Sequence, residues 1–286
     1  MKGAAAIGEA AALGRARTGA RAVAAHWPEY LMEAAGLGLF MISACAFTVL
    51  LEHPASAVHQ ALPLPWLRRF CIGIAMGLTA ISIIYSPWGK RSGAHLNPAV
   101  TLTFFALRKI EPWDAVFYVL AQFAGGALGV LLAACVLGPM LIGHAAVNYA
   151  VTLPGEPGPW IAFAAEAILS FGLMLMVLTV SNRPSINRYT GLFAGTLVAM
   201  YITLEAPLSG MSMNPARTLA SSLSAHVWRD AWIYFLAPPL GMLLAAQAYL
   251  VSRGRGRVLC CKLHHENDSR CIFRCRYHAC GPEVER

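Results

Sequence analysis

Residues 92–102 read SGAHLNPAVTL, and residues 209–219 read SGMSMNPARTL. Each holds Ser-Gly, three variable residues, Asn-Pro-Ala, one variable residue and Thr-Leu. A recurrence of this kind reports architecture before any single element is assigned. The residue types say what each copy does to the backbone. Asn is a strong helix N-cap, and Pro suits the first helical position, where its missing N–H would have no partner anyway. Asn97-Pro98-Ala99 and Asn214-Pro215-Ala216 therefore each open a helix, approached through a non-helical Ser-Gly. Neither helix has room to cross a bilayer alone. The run from Asn97 to Arg108-Lys109 is about half of the roughly 20 residues that a span needs.

Working outward, the flanks are those of a membrane protein. Of the chain, 57% is hydrophobic and 13% charged, against about 25% charged in a soluble domain. Spans are predicted at about residues 30–51, 66–86, 112–137, 160–181, 189–204 and 230–251. The two motif loops, each with its half-helix, fall before the third and the sixth. The predicted organisation is an N-terminal tail over 1–29, a channel domain over 30–251 with repeats at about 30–137 and 160–251, and a basic tail over 252–286. Three spans per half is an odd number, so the second half enters the membrane upside down. That inverted repeat is typical of channels and transporters. The fold class is thus an all-α membrane protein with six transmembrane helices plus two re-entrant half-helices. Gly73 and Gly77, Gly125, Gly126 and Gly129, and Gly191 and Gly195 mark small-residue faces for close helix contact. Glu33 and Glu166 fall early in the first span of each half; an acid is costly in a bilayer and points to a buried, structural role.

With both NPA motifs intact, the chain resembles the major intrinsic protein superfamily, the aquaporins and their solute-conducting relatives. The resemblance covers about residues 30–251 and neither tail. It implies a pore in each monomer, a homotetramer and passive transport. It also implies that Glu33 and Glu166 hold the motif loops through backbone hydrogen bonds.

The formal net charge of +8 needs no nucleic acid. With the N-terminus inside, the inner side receives Lys2, Arg15, Arg17, Arg21, Lys90, Arg91, Arg108, Lys109, Arg183, Arg188 and every Lys and Arg after Val251. The outer side receives only Arg68, Arg69 and Arg229. This bias satisfies the positive-inside rule with both termini cytoplasmic, and the plasma membrane is the expected location. No cleaved signal peptide is expected, because no long apolar core follows the early charges; an organelle-targeting peptide is the alternative.

Two half-helices entering from opposite faces meet at the midplane by their N-termini, each carrying about half a positive charge. Cations, hydrated protons included, then meet a barrier that neutral molecules do not; this is the general rule for aquaporin-type pores, applied here. Asn97 and Asn214 donate side-chain N–H groups into the pore, which orients a passing water and breaks a proton relay. Carbonyls of Gly93, Ala94, His95, Gly210, Met211 and Ser212 serve as acceptors. His95 lines the inner pore as a packed residue, with a pH gate as the alternative. Glu205, near the outer mouth, reads as solvated.

Arg217 lies three places after Asn214, in the first turn of a half-helix, where a cation is disfavoured by several tenths of a kcal/mol. Its counterpart in the first repeat is Val100. By resemblance it is the arginine of the selectivity filter, and the other filter positions fall on Met76, Ile202 and Met211, with Gly77 the alternative to Met76. Strict water channels of the family have an aromatic residue and a His where this chain has Met76 and Ile202. Glycerol channels have two aromatics and an Asp after the arginine, where this chain has Thr218. Tyr234 and Phe235 resemble the aromatic pair of water channels. The filter therefore reads as two thioethers, one aliphatic group and an arginine.

The C-terminal tail is basic and rich in Cys and His. Arg253, Arg255 and Arg257 alternate with glycine, which suits anionic lipid. Cys260, Cys261, His264, His265, Cys271, Cys275, His278 and Cys280 follow. A disordered, reduced tail is the default reading. Zinc binding and acylation of Cys260 and Cys261 are the alternatives, and the spacing matches no standard zinc finger. Cys45, Cys71 and Cys135 read as inert packing residues.

No phosphate loop, nucleophile triad or membrane metal cage is visible, so no enzyme and no cofactor is expected. The expected function is a channel for water and small neutral solutes. A facilitator for glycerol, ammonia or undissociated metalloid acids is the alternative, followed by a structural membrane protein of little permeability. A coupled transporter would need charged partners at the midplane, where this chain offers two Asn.

Overall fold

The computed structural model describes residues 18–265 and 267–277. Lys2, Arg15, Arg17, His278 and Cys280, named above, lie outside the described residues. Eight helices carry the architecture: α1 (Gly19–Glu52), α2 (Pro65–Tyr85), α3 (Pro98–Ala106), α4 (Pro112–Leu137), α5 (Pro159–Ser181), α6 (Thr190–Ser209), α7 (Pro215–Ala225) and α8 (Trp232–Arg253). Six of them are long and apolar enough to cross a membrane. The two that are not, α3 and α7, are the half-helices.

Local chemistry sets the boundaries. Pro occupies the first turn of α2, α3, α4, α5 and α7, where its fixed φ is already helical and its missing donor costs nothing. Asn97 caps α3 by accepting from the Ala99 N–H at 2.9 Å, and Asn214 caps α7 by accepting from the Ala216 N–H at 3.0 Å.

Packing follows a pseudo-twofold plan. Within the first half α1 lies along α4; within the second, α5 lies along α8; α2 and α6 meet between the halves. Each half-helix rests on the last span of the other half, α3 on α8 and α7 on α4. The crossings are close because the facing residues are small. A Cβ on Gly77 would lie 2.5 Å from the Gly195 carbonyl oxygen, and one on Gly195 would lie 2.6 Å from that of Gly77.

Two features differ from expectation. The first helix begins at Gly19, not near Tyr30, so the stretch assigned to an N-terminal tail is in part a continuation of α1. Alanine is the best helix former, and Ala20, Ala22, Ala24 and Ala25 carry the helix past the apolar span. Polar contacts then fix it: His26 Nδ1 lies 2.7 Å from Asp114 Oδ1, and Arg91 Nε donates to Glu29 at 3.0 Å. Glu33 therefore sits mid-helix, not in a first turn.

The larger correction concerns the C-terminal tail, which is not disordered over its described residues. Val258, Cys260, Cys261, Leu263 and Phe273 are buried in the same core cluster as α3, α4, α5 and α8. Asn182 Oδ1 accepts from the Leu259 N–H at 2.6 Å, and the Arg274 N–H donates to the Lys109 carbonyl at 3.0 Å. The tail thus packs on the face that holds the loops after α3 and α5. Arg270 reaches the Ala25 carbonyl of α1 at 3.1 Å, so α1 starts and α8 ends on one face. Of the apolar-segment cysteines, Cys45 is buried and Cys71 half-buried, but Cys135 is exposed on α4.

Candidate functional site

The two motif loops have the same backbone. Gly93, Ala94 and Leu96 adopt left-handed φ values of 97°, 54° and 50°; Gly210, Met211 and Met213 repeat them at 77°, 52° and 53°. Four of these six residues carry a side chain that disfavours such angles, so something must hold each loop. A buried carboxylate does so. Glu33 Oε1 accepts from Ser92 Oγ at 2.8 Å and the His95 N–H at 3.0 Å; Oε2 accepts from the Leu96 N–H at 2.7 Å and Gln122 Nε2 at 2.9 Å. Glu166 Oε1 accepts from Ser209 Oγ at 2.8 Å and the Ser212 N–H at 2.7 Å; Oε2 accepts from the Met213 N–H at 2.6 Å. With these N–H groups turned towards the carboxylates, neighbouring carbonyls are left to face the other way.

A tyrosine completes each anchor. Tyr118 of α4 donates to the Ser92 carbonyl at 2.7 Å, and Tyr234 of α8 donates to the Ser209 carbonyl at 2.5 Å. Tyr234 is fully buried; it braces the loop. Phe235 instead stacks on Phe123 at 6.4 Å. The repeated Thr of the motif also has a place. Thr101 Oγ1 lies 3.1 Å from His95 Nδ1, and Thr218 Oγ1 lies 2.6 Å from Ser212 Oγ. Tyr118, Gln122 and the paired threonines were missed in the sequence. The threonines were legible in principle, because both copies of the motif retain them.

The two Asn side chains meet across the repeat. Asn97 Nδ2 donates to the Met213 carbonyl at 2.7 Å, and Asn214 Nδ2 donates to the Leu96 carbonyl at 2.8 Å. Each amide thus commits one of its two hydrogens to the opposite loop and keeps one for a pore molecule. Leu96 and Met213 were not foreseen as the carbonyl acceptors at this junction.

A single cavity of about 430 Å³ runs past this junction, from Glu52 and Arg69 at one end to Leu263 at the other. Met76, Ile202, Met211 and Arg217 all line it, as do Ala94, His95, Asn97, Gly210, Ser212 and Asn214. Gly77 does not; it faces α6. Met76 is less free than its chemistry allows, since Ser43 Oγ, which lies 2.8 Å from Thr79 Oγ1, donates to its sulfur at 3.8 Å. The Arg217 guanidinium reaches Thr152 Oγ1, in the segment between α4 and α5. That segment also lines the cavity through Ala146, Val147, Ala150, Val151 and Leu153.

Two expectations need correction. Gly93 does not line the cavity; its carbonyl accepts from the Leu263 N–H at 3.1 Å. Glu205 is buried, not solvated. His95 lines the cavity and is packed there: its Nε2 lies 3.0 Å from the Cys261 carbonyl oxygen, and its ring stacks on Phe104 and Phe273. The tail, which had no place in the expected pore, therefore forms its inner end.

Residues 21–249 match the family profile described as Major intrinsic protein. Among curated proteins, the chain is 37% identical over 182 residues to Aquaporin NIP2-3 of Zea mays, covering 63% of this chain and 58% of that protein. It is 35% identical over 186 residues to the Probable aquaporin AqpM of Archaeoglobus fulgidus, covering 63% of this chain and 75% of that one. The chain thus spans somewhat over half the length of the maize relative. The X-ray structure of the aquaglyceroporin from Plasmodium falciparum shares the fold with a TM-score of 0.62 at 22% identity, over 78% of this chain and 95% of that one.

Proposed function

Because this chain belongs to the major intrinsic protein family, we propose that it is a passive channel for water and small neutral solutes, and that ions and protons are excluded. One observation carries the reading. A continuous cavity passes the N-termini of two opposed half-helices and the side chain of Arg217. The aligned peptide dipoles place roughly half a positive charge at each N-terminus, so a cation is opposed from both sides. One free N–H on each of Asn97 and Asn214 donates to a passing water oxygen. That water then points its hydrogens away along the file, and a hydrogen-bonded relay is interrupted. Family members are channels, and this chain is no enzyme.

The solute is set by Met76, Ile202, Met211 and Arg217. Three of these four are apolar, so a solute finds few hydrogen-bond partners besides the guanidinium. Thioethers adapt their shape more readily than rings. This favours passage of water together with glycerol, ammonia or undissociated metalloid acids. We place the channel in the plasma membrane as a homotetramer with both termini cytoplasmic, in line with the basic residues gathered on one face.

The test is stopped-flow light scattering on proteoliposomes, with water and glycerol run in parallel. Rapid shrinkage followed by glycerol-driven re-swelling is expected. A Met76→Phe/Ile202→His variant should lose re-swelling and keep shrinkage. An unchanged glycerol-to-water ratio in that variant refutes the filter assignment, and water flux equal to that of empty vesicles refutes the channel.

A further inference from the structure

The tail contains five of the chain's eight cysteines, and the pore does not account for them. Cys260, His265, Cys271 and Cys275 each offer one ligand atom, and the four atoms lie within 4.8 Å of one another. Cys260 Sγ and Cys271 Sγ are 3.7 Å apart. That is far beyond a disulfide bond of about 2.05 Å. It equals the ~3.8 Å that separates two thiolates each bound at about 2.3 Å to one tetrahedral ion. Cys275 Sγ lies 3.0 Å from His265 Nε2, which completes a three-sulfur, one-nitrogen set.

The structure also separates ligands from bystanders. Cys261 turns its thiol to the Lys109 carbonyl at 3.6 Å, and His264 packs edge-on against Tyr85 at 5.0 Å. The His265 ring stacks on Tyr277 at 4.3 Å, which fixes its orientation. Ligands oriented by their neighbours are the usual mark of a metal site. Three thiolates around a divalent ion leave one net negative charge. Two buried lysines stand close to balance it: Lys109, whose Nζ donates to the Leu259 carbonyl at 3.4 Å, and Lys262, whose Nζ donates to the carbonyls of Ser269 and Arg270 at 3.2 and 2.8 Å.

A second observation points the same way. After Arg257 the described tail forms no helix longer than a single turn and no strand, yet Val258, Cys260, Cys261 and Leu263 are buried. A long segment that is ordered without secondary structure needs some other cross-link. Metal binding supplies one, because its free energy is folding free energy.

We propose that Cys260, His265, Cys271 and Cys275 bind one zinc ion, and that this site clamps the tail over the inner mouth of the channel. Between two of the ligands lie the residues that meet the pore. Leu263 closes the cavity and bonds Gly93, while the Cys261 carbonyl holds His95. Phe273, between the other two, stacks on His95 at 5.5 Å. Zinc binding displaces three thiol protons to water and involves no change of oxidation state. Removing zinc frees the stretch that bears Leu263, and the inner mouth opens. The clamp rests on the channel reading; the metal site does not.

Full-length protein is purified in detergent with a thiol reductant, exposed to zinc chloride, desalted and assayed for metal. One zinc per chain is expected, and cobalt chloride in its place should give thiolate-to-cobalt charge transfer with tetrahedral ligand-field bands. Cys271→Ser/Cys275→Ser should reduce retention to background, and Cys261→Ser should keep it. No zinc on the wild-type chain, a Cys260–Cys271 disulfide in its place, or undiminished zinc in the double variant overturns the site. Should the double variant fail to assemble, the wild-type metal count and cobalt spectrum still decide. In proteoliposomes, a permeant zinc chelator should raise wild-type water flux severalfold. Equal flux with and without zinc overturns the clamp. Flux absent in every state is a failure of the channel reading, while the metal count stands apart from it.

Discussion

At the scale of single residues, the motif loops depend on acceptors more than on the motif's own side chains. Glu166 takes three donors and is fully buried. Glu166→Gln exchanges a carboxylate oxygen for an amide that donates towards N–H groups. Loss of a charge-assisted hydrogen bond costs about 1.5–3 kcal/mol, so the variant should show a lower thermal midpoint in detergent and reduced water flux. A midpoint equal to that of the parent would mean that the loop is held elsewhere. Arg217 offers a second test, because the first repeat shows what the position looks like without it. Arg217→Val installs the residue that Val100 represents at the equivalent place. Glycerol flux should rise severalfold relative to water as the guanidinium's bulk and charge leave the cavity; an unchanged ratio in parallel stopped-flow runs would remove Arg217 from the filter. The Asn and Glu pairs could be found in the sequence because they recur in register. Tyr118, Thr152 and the Leu96 and Met213 carbonyls could not, since nothing local marks a residue whose partner is distant in sequence.

At the scale of elements, Pro and Asn were enough to position both half-helices, and glycine spacing marked the helix faces that meet. The α2–α6 crossing makes the second point testable. Gly195→Leu would drive a side chain into the Gly77 carbonyl, where even a Cβ lies 2.6 Å away. Overpacking of this kind costs typically ~1–3 kcal/mol, so the thermal midpoint should fall. Gly256→Ala, where a Cβ meets nothing within 4 Å, should leave it unchanged; equal effects would mean that the crossing is looser than described. The two ends of the fold were less legible. Hydropathy registers only the bilayer-crossing part of α1, while its first turns are secured by Asp114 and Arg91, distant in sequence. The tail has no hydrophobic period to read. Its order comes from Asn182, Lys109, Gly93 and a cluster of sulfurs, which come together only when the inner loops do.

At the scale of the whole molecule, the surface has two kinds of face. The sides expose Leu120, Leu128, Leu132, Val136, Ile168 and Leu204, which water would not tolerate in such number and lipid or neighbouring subunits would. The ends differ in charge. Arg68 is paired with Glu52, and Arg229 lies beside Asp230, on one end; Lys90, Arg91, Lys109, Arg183 and Arg188 gather with the tail at the other. Lys and Arg near span ends set orientation, and acids contribute little, so the pairing of Arg68 and Arg229 does not alter the expectation. The end that bears the tail should face the cytoplasm. The check uses exposed positions at opposite ends, Glu156→Cys before α5 and Arg255→Cys after α8. In intact cells a membrane-impermeant maleimide should add label to the first beyond the parent's own cysteines and add none to the second until the cells are permeabilised. The reverse pattern would turn the channel over. It would also place the cysteine cluster in an oxidising compartment, where three reduced thiols beside one histidine would not persist, so the orientation experiment bears directly on whether the inner mouth can be held by zinc.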